Sequence, residues 1–449
     1  MAYHQIQSPA VEFWQKRSVV IAAAAALILV GGVFRYMSLG WNTFVHGDVA
    51  LYSEAAQALG KRGEFRLAHN PEESFFYDTQ KTGGRMYEYY PLWPLIGAIG
   101  VKAFGLSGFS ALKAAGFLSG MLLLLAVFLV GRRIGGNKLG IFSLALASFS
   151  YALIDFSANG SFYMLQGALY LFFVFVLLRA HRVRHMIAAG ALMGVAILLN
   201  FQSIILLPSL VLFVVCSCWG QWGRLLRFLA AGIGAAAALF APWGIRNYFI
   251  FDSPFFTLSH VYVWNKLGVE PVIQEGIISY HITLGTYKKL LRRVFTFWLP
   301  HNLYFINRKL FVLAPLTYVF SLFFLAKVFV KDRVQKKDAQ NLIAIVPPAV
   351  FHVLISAVWP IAKFRFFIPL LPFVFIMCGW GIFAMVHHTP IRRLVIGACI
   401  VLAAAFSFLT YAAIPSHTYY YDGVLTTDNF GKSGEYEFIR SMAVREQEL

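Results

Sequence analysis

The sequence predicts an all-α polytopic membrane protein, and three observations predict it. Of 449 residues, 59% are hydrophobic and 13% charged, too few charges to give a globule of this size a polar shell. Apolar runs of about 17 to 25 residues, the length that crosses a bilayer, recur from Val19 to near Ala413. Lysine and arginine gather in alternate connections between those runs, the pattern of cytoplasmic loops alternating with outer ones.

The spans fall at 19–37, 110–130, 139–156, 161–178, 186–200, 203–219, 226–243, 310–330, 341–359, 366–386 and 392–412, about eleven in all. The chain then divides into a cytoplasmic N-terminus (1–18), a first transmembrane helix (19–37), an outer loop with interfacial helices (38–109), a helix bundle (110–243), a basic outer loop (244–309), a second set of helices (310–412) and an outer tail (413–449). The first run follows Lys16 and Arg17 and precedes no small-x-small cleavage site, so it reads as a retained anchor. The run from Pro91 to Phe104 is short and opens with prolines. Counting it as a span would invert every later loop, so it reads as re-entrant or interfacial.

A formal charge of +18 would suggest a nucleic-acid partner in a soluble protein, but in a polytopic chain it reports loop orientation, and no nucleic acid is expected. Lys16/Arg17, Arg132/Arg133/Lys138, Arg179/Arg182/Arg184, Arg224/Arg227, the block "KVFVKDRVQKK" and Arg392/Arg393 all fall on one side, which the positive-inside rule makes the cytoplasm. The C-terminus is then periplasmic or extracellular, in a membrane of the bacterial inner type. Cys216, Cys218, Cys378 and Cys399 lie in or near spans and read as small apolar residues. A C-x-C pair without partner histidines offers no tetrahedral shell, so no metal site is expected, no cofactor is called for, and a divalent ion is not indicated.

Two outer segments are long enough to carry function. The first, roughly 38–107, holds Asp48, Glu54, Glu64, Glu72, Glu73, Asp78 and Glu88. The second, roughly 243–309, holds Arg246, Lys266, Lys288, Lys289, Arg292, Arg293, Arg308 and Lys309 on the side where positive charge is scarce. Its stretch "YKKLLRRVFTFWLP" has two readings: a site for an anionic ligand, or an amphipathic interfacial helix whose cations meet headgroups while Leu290, Leu291, Phe295 and Trp298 enter the acyl boundary. At the head of the first loop, "HGDVALYSEAAQALGKRGEF" reads as a loop and a helix with Asp48 as N-cap, the commoner role for a lone aspartate there.

With its following polar loop and "YEYYPLWPLIGA", "GDVALYSEAAQAL" resembles the first outer loop of the glycosyltransferase C (GT-C) superfamily, in the branch of protein O-mannosyltransferases and the lipid A aminoarabinose transferase. Asp48, Tyr52 and Pro91 match that loop's acid, tyrosine and proline. "APWGIRNYFIFDSPF" resembles the family's "PW-x-x-RN" element and "KFRFFIPLLPFVF" its "R-[YF]-x-x-P-x-x-P" element, in the same order and approximate spacing. The departures are specific. Val49 replaces a second acid, so metal binding by an acidic pair is not implied. "NGSFYMLQ" places Tyr163 and Gln166, without a carboxylate, at the fourth span, and Tyr89 or Tyr90 stands where the aminoarabinose branch has a lysine.

The resemblance implies a membrane glycosyltransferase using a polyprenyl-phosphate sugar donor, embedded in lipid, with a glycan, lipid or protein acceptor. The phosphate is already a good leaving group, so one base suffices, and the resemblance assigns it to Asp48. Arg246 and Arg365 become donor-phosphate ligands, with Arg85 a weaker one; snorkelling to headgroups is the alternative for the first two and a solvated loop charge for Arg85. Tyr52, Glu88, Tyr89, His260 and Asn265 become substrate-facing residues, against hydrated-rim and membrane-belt alternatives for Glu88 and the neighbouring Trp264. His46 titrates near neutrality but has no partner in sequence and ranks below Asp48. The competing classes are a lipid or sugar transporter, which calls for charges within spans and paired halves, and a non-catalytic scaffold of the same architecture.

Overall fold

The computed structural model describes residues 17–41, 47–67, 85–86, 90–251, 253–255, 267, 272–274, 277–279, 283–314, 317–322, 336–358, 364–385 and 389–413. Helices account for most of them. Five are long and apolar enough to cross a membrane: Ser18–Leu39, Gly108–Phe149, Trp222–Phe249, Ala339–Ala357 and Arg365–Phe383. The chain is an integral membrane protein.

Helix α1 (Arg17–Trp41) leads to α2 (Gly47–Arg62) and α3 (Leu92–Phe104). Helix α4 (Gly108–Phe149) is the central mast, packing against α1, α2 and α3 and against the helices Tyr163–Leu177, Leu371–Met385 and Thr389–Ala413. The sequence reading divides this stretch into two spans, 110–130 and 139–156. Non-helical backbone at Gly135 and at Gly136, which takes φ 78°, divides α4 into two helices across a kink between those two stretches, and extended backbone at Ser150 separates it from the helix that follows. Helices α5 (Tyr151–Phe156), α6 (Tyr163–Leu177), α7 (Val183–Leu199), α8 (Leu206–Ser217) and α9 (Trp222–Phe251) follow. Small residues set the closest approach in this half. A Cβ at Gly190 of α7 would lie 1.9 Å from the Gly232 carbonyl of α9, so only glycine permits that contact.

The second half contributes α10 (Leu284–Arg293), α11 (Leu299–Leu313), α12 (Lys336–Ala357), a 3₁₀ helix (Phe364–Leu370), α13 (Leu371–Met385) and α14 (Thr389–Ala413). The window Arg365–Phe383 is 83% buried, against 22% for Trp222–Phe249, so α13 runs through the core while α9 shows most of its surface to the surroundings. Two antiparallel ladders interrupt the helical pattern, Arg66–Leu67 with Arg85–Met86 and Val272–Gln274 with Ile277–Ser279. Strands of two or three residues are too short to show an alternating pattern in sequence.

Helix α3 spans only 13 residues, roughly 20 Å and short of the ~30 Å apolar core of a bilayer. It buries Trp93, Pro94, Gly97, Ala98 and Val101 instead. A Cβ at Gly97 would lie 2.7 Å from both the Ala56 Cβ and a Leu112 methyl, so α2, α3 and the start of α4 meet closely. Gln57 Oε1 accepts from the Gly108 N–H at 2.8 Å and fixes their register. All four cysteines are free thiols. Cys218, Cys378 and Cys399 are buried as expected of small apolar residues, whereas Cys216 is exposed.

Candidate functional site

Helix α2 begins at Gly47, so Asp48 stands in its first turn rather than at the cap position, a place where the helix dipole favours negative charge. The Asp48 side chain lies outside the description; its neighbours do not. Val49 and Tyr52 are buried against the segment between α5 and α6. Gly160, at φ 79°, makes that approach possible, because a Cβ there would come within 3.0 Å of the Val49 Cγ1. Trp93 Nε1 donates to the Gly160 carbonyl at 2.9 Å and ties α3 to the same loop. The Tyr52 ring meets Phe162 edge-on at 5.8 Å, and Phe162 leans on Tyr163 at 4.4 Å. The first loop's matched motif thus rests on "NGSFYMLQ", the start of the fourth predicted span.

Two cations support this corner. Lys113 of α4 donates to the Leu39 carbonyl at 2.9 Å, and its Cγ lies 3.7 Å from where a Gly160 Cβ would be. Arg35 of α1 is fully buried and donates to Ser157 Oγ at 3.1 Å, the Gly31 carbonyl at 2.9 Å and the Ala147 carbonyl at 3.2 Å. Buried guanidinium groups are stable in this setting when their hydrogens are shared among several acceptors. Arg35 thereby joins α1 to both sides of the bend that delivers Gly160.

Arg365 is the second residue of the 3₁₀ helix and is only 8% exposed, with its guanidinium carbon 5.5 Å from the Phe366 ring centroid. That 3₁₀ helix packs on α6: a Cβ at Gly167 would lie 3.5 Å from Pro369 Cα. Gly167 is four residues beyond Tyr163, or roughly 6 Å along the helix. The Asp48-bearing helix thus meets Phe162, the cap residue of α6, and the Arg365-bearing 3₁₀ helix meets α6 itself about a turn further on.

Arg246 is placed differently. It lies over the Trp243 ring at 4.2 Å and donates to Asn247 Oδ1 at 2.9 Å, and Trp243 meets Phe65 at 5.6 Å. Phe65 follows the C-terminal end of α2, whose 16 residues extend roughly 24 Å. The structure thus brings Arg246 to the far end of α2 and not to its start. Arg85 lies in the short second strand, with its backbone alone described. Glu88, Tyr89, His260 and Asn265 lie outside the described residues, as do His46 and Trp264. Among the described residues, no three His, Cys, Asp or Glu side chains gather as a metal shell requires.

The sequence reading singled out none of Arg35, Lys113, Asp155 or His352, yet each falls within a predicted span, and Arg35, Asp155 and His352 are at most 1% exposed. An ionisable side chain inside an apolar run was the available signal.

The family described as dolichyl-phosphate-mannose-protein mannosyltransferase matches residues 90–245, about a third of the chain, leaving Asp48 and Arg365 outside the matched stretch. Among solved structures, the fold is similar to that of the Archaeoglobus fulgidus oligosaccharyltransferase, with TM-score 0.62 and 14% identity over 95% of this chain and 59% of that one. The oligosaccharyltransferase AglB from the same organism, in complex with an inhibitory peptide and a dolichol-phosphate, gives TM-score 0.61 and 13% identity over 95% and 59%. ArnT from Cupriavidus metallidurans bound to undecaprenyl phosphate gives TM-score 0.50 and 17% identity over 94% and 69%. The chain spans less than two thirds of the archaeal enzymes it resembles. Among curated proteins none matches it.

Proposed function

We propose that this chain, which has the fold of the GT-C glycosyltransferases, is an integral membrane enzyme that moves a sugar from a polyprenyl-phosphate carrier to a hydroxyl acceptor on a glycolipid, polysaccharide or protein. The observation supporting the reading is the approach of two separately matched motifs to the start of α6: the first turns of α2 at its cap residue Phe162, which leans on Tyr163, and the Arg365 turn at Gly167. The dolichol-phosphate and undecaprenyl-phosphate complexes of structures with this fold support the choice of donor.

In this reading Asp48 is the general base. The acceptor oxygen attacks the anomeric carbon as its proton passes to the Asp48 carboxylate, the bond from that carbon to the phosphate oxygen breaks, and the polyprenyl phosphate leaves with the electron pair. Configuration inverts, because attack and departure are on opposite faces. Arg365 binds the phosphate and stabilises its growing charge, best done by a guanidinium held out of bulk water. Arg246 and Arg85 draw the anionic donor towards the site. Tyr52, Glu88, Tyr89, His260 and Asn265 face the sugar or the acceptor. The N-terminus is cytoplasmic, and transfer takes place on the opposite side of a membrane of the bacterial inner type.

The test is a panel of radiolabelled polyprenyl-phosphate sugars supplied to the purified protein in lipid vesicles with native acceptor extract, comparing wild type with Arg365→Ala. Label is expected to move to acceptor for one donor, with KM for that donor raised about tenfold or more in the variant. Label that crosses the bilayer still attached to its carrier, without transfer, would contradict the reading in favour of a transporter.

A further inference from the structure

The 3₁₀ helix beside the site has an internal fault that another helix repairs. In 3₁₀ geometry the Phe366 carbonyl accepts from the N–H three residues on, but that residue is Pro369, which has none. His352, in the C-terminal third of α12, supplies the missing donor. Its Nε2 lies 2.6 Å from the Phe366 oxygen. A carbonyl can only accept, so Nε2 carries the proton. The imidazole is fully buried and meets the Tyr170 ring edge-on at 5.6 Å. Tyr170 is itself fixed, accepting from Gln166 Nε2 at 2.9 Å and donating to Ser203 Oγ at 3.3 Å. Three separate elements therefore set the attitude of one imidazole whose N–H ends at the residue next to Arg365.

We propose that His352 is a positioning residue for donor binding: by replacing the N–H that Pro369 lacks, it fixes the turn from which Arg365 binds the donor phosphate. This rests on the reading of Arg365 as a phosphate ligand. Packing alone would be satisfied by any buried ring of similar size against Tyr170. The donor function requires an N–H aimed at one carbonyl.

His352→Phe keeps a ring and removes the N–H, while His352→Gln keeps an N–H at a similar reach. With the donor that wild type accepts, His352→Phe is expected to raise KM about tenfold with kcat within about twofold, and His352→Gln to stay near wild type. In an Arg365→Ala background, His352→Phe should change KM by less than about twofold, because the residue it positions is gone. Pro369→Ala, which restores an N–H at 369, should relieve the His352→Phe defect. An unchanged KM in His352→Phe, an equal rise in both backgrounds, or equal losses in Phe and Gln variants would overturn the inference. If His352→Phe yields no monodisperse protein, His352→Gln decides alone: a wild-type KM supports the proposal and a tenfold rise overturns it. Arg365→Ala with an unaltered donor KM would overturn the phosphate reading and this inference together, whereas a raised KM there with none in His352→Phe defeats this inference only.

Discussion

The helices that stand at the start of the first long loop and near the end of the second are built in opposite ways. Helix α2 is held by protein on several sides: Ala55 and Ala56 are fully buried, Tyr52 nearly so, and Gln57 is bonded to the first residue of α4. Helix α10 has a Thr283–Thr286 capping box and no buried residue at all. Leu284 is 72% exposed and Leu291 55%, and with Tyr287 and Leu290 they form an apolar arc that borders the basic arc of Lys288, Lys289, Arg292 and Arg293. Lys289 ties it to the preceding loop by donating to the Leu267 carbonyl. The difference teaches where tolerance is set. Packing against α3, α4 and the 159–163 loop fixes α2 closely enough to hold a reacting group. Helix α10, apolar on one side and basic on the other, has the form of an element whose position depends on a membrane surface.

The comparison breaks hardest at Gly160. Gly160→Val demands a positive φ of a β-branched residue and drives a Cβ against Val49, and should destabilise the protein by roughly 3 kcal/mol or more. Thermal unfolding in detergent, followed by tryptophan fluorescence, would read it, with transfer lost in parallel. An unchanged melting temperature would mean that the corner is looser than these contacts imply. The gentlest test lies on α10. Replacing Lys288 and Arg292 together by glutamine should alter stability in detergent by less than about 0.5 kcal/mol. Transfer should fall only in vesicles rich in anionic lipid, since each cation near such a surface contributes about 1 kcal/mol. Equal loss in neutral vesicles would assign these cations to the donor's phosphate instead.

Much of the first region was legible in the sequence, because "GDVALYSEAAQAL" combines helix propensity, a start signal and a family resemblance in one short stretch. The packing of α2 on "NGSFYMLQ" was not, since nothing local says that Gly160 rather than another glycine receives Val49. Asp48 was expected as a cap and stands two positions past it, a shift within the ordinary spread of helix ends. Arg246 and Arg365 looked equivalent in sequence, each an arginine in a matched motif at a helix end. Only tertiary contacts separate them, through Trp243 and Phe65 for one and the α6 contact for the other. His352 illustrates the remaining gap. The histidine lies unremarked within an apolar run and Pro369 stands in "FRFFIPLLP", but their connection exists only once the turn is 3₁₀ and α12 lies beside it.

The central claim is that Asp48 takes the acceptor's proton, and the most direct measurement compares wild type with Asp48→Asn at matched protein levels, following both donor binding and sugar transfer. Asparagine preserves size and helix-start preference but cannot serve as a base. The account predicts donor affinity within about twofold of wild type and turnover reduced by about 10²-fold or more. Transfer at the wild-type rate in Asp48→Asn would contradict it.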